Sequence, residues 1–186
     1  MPPWRDWYHV NGNTYGTWLP GDSRGWRARG HREHVDGDYT APPTAGLYDG
    51  LHDAAEESLK KDAVLLSEHQ RALAGQALVE MLVHSGVALN AVSVDRVHYH
   101  FLGQFTDLHV RRTVGRAKKH ATFVLRDDGL AGTAWARRCR ALPVTDRSHQ
   151  VNVFRYITRH AAQGAWVWTF RDGITWPTTL RFAEGD

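Results

Sequence analysis

One cysteine, Cys139, is present in 186 residues. A lone thiol cannot close an internal disulfide, which excludes a disulfide-stapled scaffold and argues against a structural zinc site built on several thiolates. No run approaches the roughly 20 apolar residues that a membrane-spanning helix needs. The segment Met1-Pro2-Pro3-Trp4-Arg5-Asp6 has no apolar stretch of the signal-peptide kind. The expectation is a cytoplasmic chain with no membrane partner. A Gly-x-x-x-x-Gly-Lys loop is missing too, so no nucleotide cofactor is expected. There is no internal repeat and no low-complexity segment.

What is present is an ordinary apolar share of 42% and a charged share of 23%, which fits one globular domain spanning residues 1–186. Twelve histidines and eight tryptophans stand out. Imidazole is a metal ligand and proton carrier, and indole is a stacking surface for bases. Charge is unevenly spread. Residues 1–106 hold 9 Lys+Arg against 13 Asp+Glu, whereas residues 107–186 hold 14 against 7. The basic second half points to a polyanion-binding face or to an Arg-rich solvated surface.

Aromatic and β-branched residues at Trp7–Val10 and Thr14–Leu19 predict an N-terminal strand, stopped by the turn signal Pro20-Gly21-Asp22. A long irregular loop is expected at about 20–50. Its segment Arg24–Arg32 mixes basic and aromatic groups, as single-strand binders do and as solvated loops also do. A short helix is expected near 52–61. Ser67-Glu68-His69-Gln70 reads as a capping box opening a helix with apolar positions at Ala72, Leu73, Ala77, Leu78, Met81 and Leu82, ended by Gly86. Strands are expected at about 87–94 and 97–105, joined at Asp95-Arg96. Asp107 is the expected cap of a helix running to about Arg126. A strand at 134–144, a helix at 147–163 and a tail containing Trp166, Trp168 and Trp176 complete the chain. The order β, α, β, β, α, β, α predicts an α+β, ferredoxin-like (RRM-like) antiparallel sheet with flanking helices and an added C-terminal helix.

In Val97-His98-Tyr99-His100-Phe101-Leu102 strand alternation puts His98 and His100 on one face, able to converge on one ion, with Tyr99 and Phe101 packed on the other. A His-x-His pair alone is a weak signal, since such pairs are more often exposed or hydrogen-bonded. In the helix Val151–Gln163 the positions Val153, Phe154, Ile157 and Ala161 make an apolar stripe. Tyr156, His160 and Gln163 fall along one flank of it, with Tyr156 and His160 neighbours at i and i+4. Tyr156 reads equally as a boundary tyrosine with its hydroxyl in water.

Three segments, Tyr15-Gly16-Thr17-Trp18-Leu19-Pro20-Gly21-Asp22, Val97–Leu102 and Phe154-Arg155-Tyr156-Ile157-x-x-His160, occur in this order. Together they resemble the single-tyrosine HUH transposases, in particular the branch that includes the REP-associated tyrosine transposases. The basic stretch Gly115–Lys119 and Gly164–Trp168 extend the resemblance over residues 7–168. It implies a ferredoxin-like core, a divalent metal (Mn2+ or Mg2+) on His98 and His100, and Tyr156 as nucleophile on an added catalytic helix. It also implies homodimers acting on single-stranded or hairpin DNA. Two positions depart from the family pattern. Tyr99 is bulkier than the usual aliphatic residue, and the third metal ligand, often an amide four residues after the tyrosine, is here His160, with Gln163 the other candidate.

On that resemblance the expected activity is a transposase reaction, cleaving and rejoining single-stranded DNA through a 5′-phosphotyrosine. Three imidazoles favour Mn2+ or another transition ion, while Mg2+ prefers oxygen. Phosphate contacts are expected from Arg111, Arg112, Arg116, Lys118 and Lys119 on the basic helix, extended by Arg137, Arg138 and Arg140. The alternatives are a nucleic-acid-binding domain without chemistry, and a replication initiator or relaxase of the HUH kind. Against the latter stands His160, where those enzymes place a lysine or use paired tyrosines.

Overall fold

The computed structural model describes residues 4–26, 44–106 and 109–171. Its elements run β1 (Trp7–Asn13), α1 (Asp49–Glu57), α2 (Glu68–His84), β2 (Ala88–Val94), β3 (His98–Gln104), α3 (Val110–Asp127), β4 (Arg140–Pro143), α4 (Arg147–Arg159), a 3₁₀ turn (His160–Gln163) and β5 (Trp166–Thr169). The strands form one sheet in the order β4-β1-β3-β2-β5, with every neighbouring pair antiparallel. Strands β1 to β4 have the 4-1-3-2 order of the ferredoxin-like βαββαβ unit. The expected α+β fold is therefore present, with β5 added beyond β2.

The two faces of the sheet are covered by different helices. Ser67 opens α2 as the sequence predicts: its hydroxyl accepts the Gln70 N–H, and the Gln70 side chain accepts the Ser67 N–H, each at 3.2 Å. Ala74, Ala77, Leu78 and Leu82 of α2 and Val114, Ala117, Ala121 and Leu125 of α3 pack on Val10, Val92, Val94, Tyr99 and Phe101. On the opposite face α4 seats Val153 and Ile157 against Ala91 and Leu102, with Trp4, Trp7 and Phe154 at the margin. Full burial of one such side chain contributes about 1.5–3 kcal/mol, enough to fix the helix on the sheet. Because β4 and β5 lie at opposite edges, α4 and its 3₁₀ turn cross the whole face between them. At the far edge Trp166 turns toward α2 and lies directly on Gly75, where a Cβ would stand 2.0 Å from Cε3 of the indole.

Several local expectations are corrected. Residues 14–19 do not continue the first strand. Gly16 takes φ +76°, and the hydroxyls of Thr14 and Thr17 reach the Val97 carbonyl at 3.2 Å each, curling the chain back on itself. Only an isolated bridge, Thr14 to Trp135, remains of that strand and of the early part of the one expected at 134–144. Residues 166–169, expected as tail, are strand β5; a four-residue run announces itself only once the β2 edge pairs with it. The first helix begins earlier than 52 and buries nothing. The last expected helix tightens to 3₁₀ geometry at His160. Asp107, Trp176 and residues 27–43 of the expected loop lie outside the described residues. Among the described ones no helix is long and apolar enough to cross a membrane.

Candidate metal centre and nucleophile

The hairpin between β2 and β3 sets the first two imidazoles. Asp95 N–H donates to the His98 carbonyl at 2.8 Å, and the Asp95 carboxylate accepts the Arg96 N–H at 2.6 Å, closing a tight turn. The Thr14 and Thr17 hydroxyls hold the carbonyl of Val97, the residue just before His98. Alternation then does what the sequence predicts. His98 and His100 face α4, while Tyr99 and Phe101 are fully buried on the other side. The Tyr99 ring runs beneath Gly12, whose Cβ would stand 2.5 Å from its hydroxyl oxygen. That hydroxyl has no hydrogen-bond partner among the described residues.

Helix α4 supplies the rest. Asp146 caps it by accepting the His149 N–H at 2.8 Å, and its buried stripe sets its rotation. Tyr156 and His160 thereby face the strand histidines. Ligand atoms of His98, His100 and His160 all lie within 4.8 Å of one another. Two imidazole nitrogens on one ion at about 2.0–2.1 Å are about 3.4–4.2 Å apart, so ring shifts on the order of 1 Å would close the set. The Tyr156 ring stands edge-on to His100 at 5.2 Å and to His160 at 4.8 Å. It is 44% exposed, whereas His100 and His160 are each 6% exposed. The phenol thus lines the solvent side of the cluster. Gln163, the other candidate for third ligand, is exposed at the end of the 3₁₀ turn.

Protonation state follows from burial. Desolvation, then the neighbouring imidazoles of His98, His9 and His160, push the His100 pKa down to about 2. Burial also lowers His98, against an opposing pull from Asp95. At neutral pH both rings carry a lone pair, as a ligand must. The Nδ1–H of His160 donates to the Tyr156 carbonyl at 2.9 Å, since a carbonyl only accepts; in the neutral ring this leaves Nε2 as the bare nitrogen. This donor set suits a divalent ion with an affinity for imidazole.

Two side chains that the sequence reading passed over stand behind the cluster. Asp95 places a carboxylate oxygen 3.6 Å from Nδ1 of His98, and His9 places Nε2 3.1 Å from Nδ1 of His100. Alternation along β1 puts Trp7, His9 and Asn11 on one face, but only the β1–β3 register shows that this face is that of His100.

The expected phosphate contacts divide. Arg111, Arg112, Arg116, Lys119, Arg137, Arg138 and Arg140 are exposed. Lys119 of α3 and Arg137 of the segment before β4 line one cleft of about 350 Å³ together with Lys118, Phe123 and Arg126. Lys118 differs from them. It is 8% exposed, and its ammonium donates to the carbonyls of Ala136 at 2.6 Å and Arg137 at 3.3 Å. It ties α3 to the segment before β4, and two of its three N–H groups are engaged there, although it also lines the cleft. In the loop after β1, Arg24 is held by the Asp22 carboxylate and stacks on Trp18 at 4.8 Å, while Trp26 is buried edge-on to Tyr48. Trp26 is therefore no open platform for a base. No family model matches the chain, and neither a curated protein nor a solved structure matches it.

Proposed function

We propose that this protein cuts and rejoins single-stranded DNA by metal-assisted phosphoryl transfer through Tyr156, as the resemblance to single-tyrosine HUH transposases implies. One observation carries the reading: an exposed phenol edge-on to two of three clustered imidazoles. These groups, spread from position 98 to position 160, meet only through the packing of α4 on the sheet. A divalent ion, Mn2+ or Mg2+, held by His98, His100 and His160 would draw negative charge from the oxygens of a phosphodiester laid beside it.

Tyr156 Oη attacks phosphorus; the new O–P bond forms as the bond to O3′ breaks, and the phenolic proton is lost while O3′ leaves as a hydroxyl. The 5′ fragment end stays on the tyrosine and a free 3′-OH reverses the step. The phosphodiester is exchanged rather than hydrolysed, so rejoining needs no nucleotide. A phenol with an ordinary pKa of about 10 is a weak nucleophile at neutral pH, so positioning has to supply much of the rate. The cleft with Lys119 and Arg137 would hold backbone without reading sequence. The same resemblance adds hairpin DNA as substrate and a second copy of the chain as partner. A binding-only sheet would present aromatics at the centre of this face, where the imidazoles of His98 and His100 stand instead and Trp7 is at the margin.

The test is incubation of labelled single-stranded hairpin DNA with the protein and Mn2+, followed by a denaturing gel. A covalent adduct is expected for the wild type and none for Tyr156→Phe, with DNA affinity within a few-fold. Undiminished adduct in the Phe variant refutes the assignment.

A further inference from the structure

For an imidazole to bind a cation, the nitrogen facing the ion must be bare, so the proton must sit on the other one. A neutral ring has one N–H and one lone pair, and its second partner decides which is which. Two members of the cluster have such a partner in plain view. His160 donates Nδ1–H to the Tyr156 carbonyl, and His98 turns Nδ1 toward the Asp95 carboxylate. Among the described residues His100 has neither a carbonyl nor a carboxylate there. Its Nδ1 meets the Nε2 of His9 at 3.1 Å, with the rings stacked at 5.3 Å and 29°. His9 is not the direct cross-strand partner of His100, which is Asn11; it reaches over diagonally from the position opposite Leu102.

That contact has two possible proton placements with opposite consequences. With the proton on His9 Nε2, His100 accepts through Nδ1 and carries its own proton on Nε2, pointing at the cluster and blocking it. With the proton on His100 Nδ1, its Nε2 is bare. We propose that His9 is a positioning residue: its Nε2 accepts the Nδ1–H of His100 and so fixes the tautomer in which His100 presents Nε2 to the ion. The inference rests on the reading of His98, His100 and His160 as metal ligands. It gives each of the three imidazoles a partner on the Nδ1 side, a hydrogen bond at His160 and His100 and a longer contact of 3.6 Å at His98, leaving Nε2 for the ion. Outer partners of this kind typically change metal affinity about 10–100-fold when removed. His9 also stands edge-on to Tyr156 at 6.0 Å, so it touches the nucleophile as well as the cluster.

Two variants separate this role from packing. His9→Phe keeps a flat ring to stack on His100 but has no acceptor. His9→Gln loses the ring but carries Oε1 to about the place of Nε2. Long-range ¹H–¹⁵N NMR of the metal-free protein reads the tautomer directly. His100 should be Nδ1–H in the wild type and in His9→Gln, and should populate Nε2–H in His9→Phe. Mn2+ affinity, followed by EPR titration without DNA, should fall about 10–100-fold in His9→Phe and stay within about three-fold of wild type in His9→Gln. A wild-type His100 protonated on Nε2 overturns the proposal without any variant. So does a His9→Phe protein with unchanged tautomer and affinity, or a Gln variant as weak as the Phe one. If the wild type binds no Mn2+, the metal reading fails, and the NMR arm alone decides the role of His9.

Discussion

Replacing a mid-helix glycine by alanine ordinarily stabilises a helix by about 1 kcal/mol, because glycine loses more backbone freedom on folding. Gly75 of α2 should do the reverse. An added Cβ would lie 2.0, 2.3 and 2.6 Å from Cε3, Cζ3 and Cδ2 of Trp166, well inside ordinary van der Waals separation. Both neighbours are held: α2 is packed along its length, and Trp166 is in a strand paired to β2. Relief therefore requires moving β5 by roughly 1.5 Å, an overpacking of the kind that costs about 1–3 kcal/mol, here at the upper end. Subtracting the helix gain leaves a net destabilisation of about 2 kcal/mol, which for a chain of this size lowers Tm by about 4–8 °C. Gly115 of α3, whose Cβ would meet nothing within 4 Å, is the internal control and should raise Tm when changed to Ala. Thermal unfolding followed by circular dichroism reads both. Since β5 follows directly on the turn bearing His160, Gly75→Ala should also weaken Mn2+ binding. A Tm for Gly75→Ala that rises in parallel with Gly115→Ala would refute the reasoning.

Other expectations concern the site and its surroundings. His9, lowered to about 4 by burial first and then by His149, Arg140 and His160, and His100, lowered to about 2, stay neutral in the folded metal-free protein while the unfolded chain protonates them near pH 6.5. The unfolded state then binds more protons, so stability is full above that pH and falls as pH drops from about 6.5 to about 4. The decline approaches about 1.4 kcal/mol per pH unit for each ring. Urea unfolding at several pH values checks this, and His100→Phe should flatten the slope. Tyr99→Phe removes a buried hydroxyl without a partner among the described residues and should leave stability unchanged or raise it by up to about 1 kcal/mol; a clear drop in denaturant midpoint counts against that environment. Lys119→Ala with Arg137→Ala should flatten the log–log salt dependence of DNA affinity by about 0.7 for each phosphate that the protein no longer neutralises, seen by fluorescence anisotropy. Lys118→Met should leave that slope alone, because its ammonium faces carbonyls.

What the sequence made legible was local. The Ser67 capping box, the alternation of His98-Tyr99-His100 and the apolar stripe of Val153 and Ile157 each depend on neighbours within a few residues. The hidden parts depend on register and on distant surfaces. His9 became part of the site only through the pairing of β1 with β3, and Trp166 became part of a strand only against β2. Lys118 is an intermediate case. It shares the helical spacing of Val114, Ala121 and Leu125, so the stripe that buries them passes through it, a signal that counting charges along the helix obscures. Thr14 and Thr17 look like strand formers until their hydroxyls find the Val97 carbonyl across the chain.

The crossing of α4 from one sheet edge to the other has a meaning for the timing of synthesis. A chain made from its N-terminus exposes His98 and His100 with β3, but the phenol, the third imidazole and the strand that anchors them come later. The interval from residue 101 to Thr169 takes roughly 3–14 s at about 5–20 residues per second. Until residue 160 is made, the nascent chain holds only two of the three imidazoles of the cluster. If Tyr156 is the residue that cuts DNA, cutting competence can arise only late in synthesis, once α4 has been made and packed on the sheet.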